Sequence, residues 1–404
     1  MPNSIAAAWV LPIAGPPIER ATITVDDGRV VSVQSGIVPG ALTSTVPCVV
    51  LPALVNAHTH LELSYLRGRI PRAASFTKWV KPLLAVRRTA PDPDEVTKAA
   101  AAAITEAVST GTGLFGDVSN ALGAVPALRW SKRPARVFHE LLGFNVAEAE
   151  GHVASARARI DAEARISKSE ELRFSLAPHA PYSVSPALFD AIRRDATTHG
   201  DPTAVHLGES REEVQFLADG SGPWRELLQT LGVWTNAWRP PACSPIAYLQ
   251  RSGFLDASTL IVHGVQCSGD DFARIRDTGA AVVSCPRSNA YVGAGVPPLT
   301  GFYQAGIPVA FGTDSLASVE DLNLFSELAQ ARQIAPDVPA RRLLESATAV
   351  GARALGFGDD YGSIEPGKRA ALISVRLPAW VRDVEEYLVS GIQPADIEWV
   401  FPNA

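Results

Sequence analysis

The sequence predicts a (β/α)8 barrel with a small composite β-sandwich built from both termini. Three observations predict it. Eight short apolar runs of strand length alternate with helical stretches from residue 48 onward. The two ends, 1–50 and 361–404, instead carry short alternating segments broken by tight turns. Histidines gather at the C-terminal ends of the apolar runs, the face where such a barrel collects its chemistry. The barrel is therefore expected over 51–360. A doubly wound open sheet is the competing architecture, but no Gly-rich phosphate loop leads from an early strand into a helix.

Composition narrows the function classes. The chain is 47% hydrophobic and 19% charged, with mean hydropathy +0.09, as in an ordinary globular enzyme. A net charge of −6 with scattered Lys and Arg leaves no phosphate-backbone footprint, so nucleic acid is not an expected partner. No apolar run reaches spanning length, so no membrane association is expected. Cys48, Cys243, Cys267 and Cys285 lie far apart with no C-x-x-C pair, which suits a reducing compartment. The apolar patch Ile5 to Ile13 has no basic leader and is broken by Pro12, so it is not read as a signal peptide. The expected location is cytoplasmic.

In chain order, Ala21–Val25 alternates, Asp26-Asp-Gly28-Arg29 makes a hairpin turn and Val30–Gln34 resumes the strand. Barrel strands are expected at 49–56, 114–119, 137–143, 173–178, 203–207, 260–264, 280–285 and 308–312. Pro93–Ser109 reads as a helix, with an acidic first turn, an Ala-rich body and Gly111 just beyond its end. Further helices are expected at 146–164, 186–198, 211–219, 268–277, 298–305 and 343–355. After the last, the Pro366-Gly367 turn is expected between two short strands that complete the N-terminal layer.

The strand ends carry the chemistry. Asn56-Ala-His58-Thr-His60-Leu-Glu62 closes the first strand, and residues i and i+2 of a strand share a face, so both imidazoles leave it side by side. His179, His206 and His263 close the fourth, fifth and sixth strands, and Asp314 follows the eighth. Five of only eight histidines thus fall at strand ends. Three imidazoles and a carboxylate suit a borderline cation such as Zn²⁺ with a position left for water. Bound water would then ionise near neutrality, and Glu209, three residues after His206, is the candidate acid/base. His139 is expected in the core, and His152 and His199 on the surface.

Six segments in order carry a family resemblance: Asn56–Glu62, Pro178-His179, His206-Leu-Gly-Glu209, Val262-His263-Gly264, Cys285-Pro-Arg-Ser-Asn289 and Gly312-Thr-Asp314-Ser315. They resemble the amidohydrolase superfamily, in its cytosine-deaminase-like branch of mononuclear metal deaminases and chlorohydrolases. The resemblance implies metal ligation by His58, His60, His206 and Asp314, with Glu209 shuttling the proton and His263 orienting the attacking oxygen. Asp314 would assist the proton transfer. It implies one divalent metal, Zn²⁺ with Fe²⁺ suited to the same donors. Arg173–His179 contains no lysine to bridge a second one. Ala370-Ala371-Leu372 departs from the Ala-Asp-Leu of many relatives, away from the site. A homodimer is a candidate assembly.

Within that branch, His-Thr-His-Leu-Glu-Leu-Ser, the Phe76-x-x-Trp79-Val80 loop and Cys-Pro-Arg-Ser-Asn are most similar to the aminofutalosine deaminases of menaquinone biosynthesis. That similarity implies hydrolytic deamination of a 6-aminopurine nucleoside bearing an aromatic carboxylate on the ribose side. Expected substrate contacts are His179, Trp79, Arg287, Asn289 and Ser315, with Glu62 holding the loop after the first strand and Arg67 or Arg69 pairing with the carboxylate. Adenosine, methylthioadenosine, S-adenosylhomocysteine, guanine or another base stay open as substrates. Hydrolytic dechlorination and cyclic-amide hydrolysis stay open as chemistries.

Overall fold

The computed structural model describes residues 3–44 and 46–401, so the last three residues of the expected C-terminal layer lie outside it. At the N-terminus, β1 (Asn3–Val10), β2 (Ile18–Asp26) and β3 (Arg29–Ser35) form an antiparallel meander. Gly28, at φ +69°, makes the β2–β3 turn where an L side chain would be strained. β4 (Leu42–Thr43) and β5 (Cys48–Pro52) pair parallel with β1.

Barrel strands follow: β6 (Leu54–Thr59), β7 (Thr112–Ser119), β8 (Ala135–Leu141), β9 (Leu172–Pro178), β10 (Thr203–Leu207), β11 (Thr259–His263), β12 (Ala281–Ser284) and β13 (Val309–Phe311). They form two parallel ladders, β6–β9 and β10–β13. Both seams are bridged at the top by residues of the histidine cluster. The His206 amide donates to the His179 carbonyl at 2.9 Å, and the Asp314 amide to the His58 carbonyl at 3.0 Å. Fully buried Val55, Phe138, Val262 and Val283 fill the interior with side chains.

β14 (Leu372–Arg376) and β15 (Ile397–Trp399) return to the first layer, giving a ladder in the order β15-β14-β5-β1-β2-β3 with β4 beside β1. The run 49–56, expected as one strand, is two. Pro52 has no amide to donate; the Ala53 amide goes to Ala371 and the Leu54 amide to Gly111, so the chain changes sheet there. The turn at Gly367 (φ +93°) is followed by β14, but among the described residues no strand lies between Ala354 and that turn. The amide of Ile364 goes instead to the Pro12 carbonyl.

Helices α1 (Phe76–Val86) and α2 (Pro93–Ser109) follow β6. The Asp92 side chain accepts the Asp94 amide to cap α2. The expected helix 343–355 is present as one run, α over Ala340–Glu345 and Gly351–Ala354 with a π-turn over Ser346–Val350 between them, and Gly351 packs closely on Val55. Gly111-Thr-Gly-Leu-Phe-Gly116 has dinucleotide-loop spacing but leads from a helix into β7, so its amides serve the ladder. Among the described residues, no helix is long and apolar enough to cross a membrane.

Candidate active site

At the open end of the barrel the strand termini converge. His58 and His60 leave β6, His206 leaves β10, and Asp314 follows β13. His60 Nε2 lies 3.3 Å from His206 Nε2. Asp314 Oδ1 lies 3.6 Å from His60 Nε2 and 3.8 Å from His58 Nε2. His58 is 1% exposed, and neither ring nitrogen has a hydrogen-bond partner. A buried polar ring without partners is costly, and a cation at the convergence point would supply the missing one. Burial, reinforced by His60, His206 and His263, holds His58 well below the usual imidazole range, in the neutral form that binds metals.

Asp314 is fixed in place. Its Oδ2 accepts from Ser288 Oγ at 2.6 Å and Ser318 Oγ at 3.1 Å, and its Oδ1 accepts the Ser315 amide at 2.8 Å. Burial pushes its carboxyl up, but His60, His263 and the Ser288 hydrogen bond outweigh that and keep it low. Asp314 and His263 both have positive φ, +62° and +75°, a strain that aims each side chain inward.

Glu209 stands beside the cluster, buried, with Oε1 3.5 Å from His263 Nε2. His263 Nδ1 is 2.9 Å from Asn289 Oδ1, an acceptor, so Nδ1 carries the proton and Nε2 faces Glu209. Burial, then Asp314, pushes the Glu209 carboxyl well up, while burial brings His263 down to about 3. Glu213 holds this corner from behind, taking the Gly208 and Glu209 amides at 3.0 and 2.9 Å. The floor opens into a cavity walled by Phe76, Trp79, Tyr182 and Trp224, then by a row of leucines including Leu83, Leu227 and Leu231, with Arg87 exposed at the rim. The arrangement can hold a divalent cation and a proton-carrying pair beneath a flat apolar slot.

Residues 49–393 match the amidohydrolase family. The chain belongs to the amidohydrolase family. An aminodeoxyfutalosine deaminase of Deinococcus radiodurans is 32% identical over 79% of this chain and 76% of its own. A 5-methylthioadenosine/S-adenosylhomocysteine deaminase of Moorella thermoacetica is 28% identical over 98% of this chain and 91% of its own. Among solved structures, an adenosine deaminase from Xanthomonas campestris with bound zinc superposes at a TM-score of 0.83, with 27% identity, over 98% of this chain and 90% of that one. This amidohydrolase is a hydrolase of carbon–nitrogen bonds, and its His/Asp cluster could hold a metal.

The structure of this amidohydrolase gathers some of the residues singled out from the sequence and separates others. His179, Trp79 and Ser315 line the cavity. His179 Nδ1 is 2.6 Å from Ser183 Oγ. Asn289 lies behind His263 and does not line the cavity. Glu62 accepts from Ser119 Oγ at 2.5 Å and the Asn120 amide at 2.8 Å, so it holds the loop after β7 rather than the one after β6. Arg287 is committed elsewhere, with its fork 2.8 and 3.0 Å from the two Asp321 oxygens. Arg67 pairs with Glu106 and Arg69 with Glu95, both away from the cavity. His139 is buried against the Ser119 carbonyl, and His152 and His199 are exposed.

Sequence reasoning missed Glu140, Asn120 and Arg87, which all line the cavity, and Glu213 behind it. For Glu140 a signal existed. It is the penultimate residue of β8, which ends at Leu141, whereas a strand running to 143 leaves it mid-strand. Arg87 had none, since it reaches the cavity only through the way α1 lies over it.

Proposed function

We propose that this amidohydrolase deaminates a 6-aminopurine nucleoside, with 6-amino-6-deoxyfutalosine as the preferred substrate and menaquinone biosynthesis as its setting. The observation that carries the proposal is the buried Glu209–His263 pair, placed beside the cluster on the same cavity floor as His179. His58, His60, His206 and Asp314 would hold one divalent cation, Zn²⁺ or Fe²⁺, and β9 offers no lysine to bridge a second. Such a cation supplies an acidified water at neutral pH.

The residues of the chain do the rest. Glu209 accepts a proton as the water oxygen bonds to the ring carbon bearing the amino group, and returns it to the adjacent ring nitrogen. His263 Nε2, which carries no proton, accepts from the hydroxyl of the tetrahedral centre and orients it, and Asp314 takes a second proton toward the leaving group. The C–N bond breaks and ammonia leaves, so water and aminopurine become oxopurine and ammonia. The aromatic slot suits a flat base, and His179 is available to a ring or ribose polar atom.

Among the described residues, Arg87 is the one Arg or Lys lining the cavity, so we assign it, not Arg67 or Arg69, to a substrate carboxylate. The leucine wall favours one second reading: a thioether-bearing nucleoside such as methylthioadenosine would be accepted on the same floor. Wide-spaced free cysteines support a cytoplasmic location. The test is ammonia release by zinc-loaded protein against aminofutalosine, adenosine, methylthioadenosine and S-adenosylhomocysteine. Turnover of none, with chlorinated triazines or cyclic amides hydrolysed instead, would move the reading to those classes.

A further inference from the structure

Glu140 is buried at the end of β8, 4% exposed, and among the described residues no arginine or lysine hydrogen-bonds or pairs with it. Its Oε1 lies 3.2 Å from His206 Nδ1, and its Oε2 accepts from Asn120 Nδ2 at 2.8 Å. The other neighbour of His206 Nδ1 is the His179 carbonyl, also at 3.2 Å. Both neighbours are acceptors, so Nδ1 must carry the proton, and the Nε2 lone pair is left facing the cluster. Asn120 in turn takes a long hydrogen bond from Arg87 at 3.4 Å, so hydrogen bonds run from the cavity rim to His206 through Glu140.

We propose that Glu140 is a positioning residue: its carboxylate fixes His206 in the Nδ1–H form and strengthens that ring as a ligand for a divalent cation. The inference rests on the metal-binding reading above. Outer carboxylates of this kind commonly contribute about 10–100-fold to metal affinity.

The test is Zn²⁺ retention against a chelating dye, read without substrate, for wild type, Glu140→Gln, Glu140→Asp and Asn120→Ala, all checked as folded metal-free protein. The cobalt(II)-loaded forms are compared by visible absorption. Glu140→Gln is expected to bind zinc about 10–100-fold more weakly with an altered cobalt spectrum. Glu140→Asp, which keeps the charge, should recover part of that loss, and Asn120→Ala, which leaves the carboxylate beside His206, should retain zinc. Unchanged zinc affinity in Glu140→Gln would overturn the proposal, since the His179 carbonyl alone would then suffice.

Should Glu140→Gln not fold, ¹⁵N-histidine spectra of metal-free wild type read the tautomer directly, and an Nε2–H His206 overturns it. A wild type that takes up no zinc overturns both this and the metal reading. One that binds zinc but deaminates no nucleoside defeats only the substrate assignment.

Discussion

Glu209 Oε1 lies 3.5 Å from His263 Nε2, and both residues are almost fully buried. Burial pushes the carboxyl up and the imidazole down, so both charged forms are disfavoured and the two are not a fixed ion pair. Glu209→Gln keeps the shape and removes the proton carrier. Its kcat should fall by about 10²–10⁴-fold, with zinc content and thermal unfolding unchanged. A fall smaller than tenfold would remove Glu209 from the chemistry.

Arg87 distinguishes the substrate readings. Losing a charge-assisted contact costs about 1.5–3 kcal/mol, so Arg87→Ala should raise KM roughly 10–100-fold for a carboxylate-bearing nucleoside and little for adenosine. Arg67→Ala and Arg69→Ala should change neither, because their partners are Glu106 and Glu95. Steady-state kinetics on both substrates decides it.

What the sequence made legible follows from what is local. His-x-His at the end of an apolar run, Glu209 three residues past His206, and α2 with its acidic first turn and Ala-rich body are all set by short-range pattern. The break at Ala53 was hidden because β5 and β6 are equally buried, so hydrophobicity runs through while the hydrogen-bond partner changes. Arg287 looked available beside the site, and only the fold brings Asp321 to its fork. Arg87 and Glu140 act through distances between elements, which no spacing in the chain encodes.

Gly312 shows how closely the β6–β13 seam is packed. A Cβ there would lie 2.6 Å from the His58 carbonyl oxygen and 2.7 Å from its Cβ. Gly312→Ala should therefore push β6 and β13 apart, costing about 1–3 kcal/mol of stability and weakening zinc binding through His58. Urea unfolding with metal analysis checks both; a variant with native zinc affinity would contradict the tight seam.

Burial pushes the Glu327 carboxyl up to about 8, against the pull of Arg287. Its ordinary value in the unfolded chain is about 4.3, so the folded protein holds a proton that the unfolded chain has lost. The group's stabilising contribution is present below that ordinary value and fades as pH rises through about 8. Between about pH 5 and 9, Glu327→Gln should lose less stability than wild type, by on the order of a few kcal/mol at most. Urea midpoints across that range test it, and parallel curves would contradict it.

The most direct test of the central claim is ammonia released per nucleoside consumed, with zinc-loaded wild type and Glu209→Gln side by side on aminofutalosine and methylthioadenosine. The account predicts one ammonia per oxopurine formed, faster turnover of aminofutalosine, and near-complete loss in the variant. Consumption of nucleoside without ammonia, or equal rates in the two proteins, would contradict it.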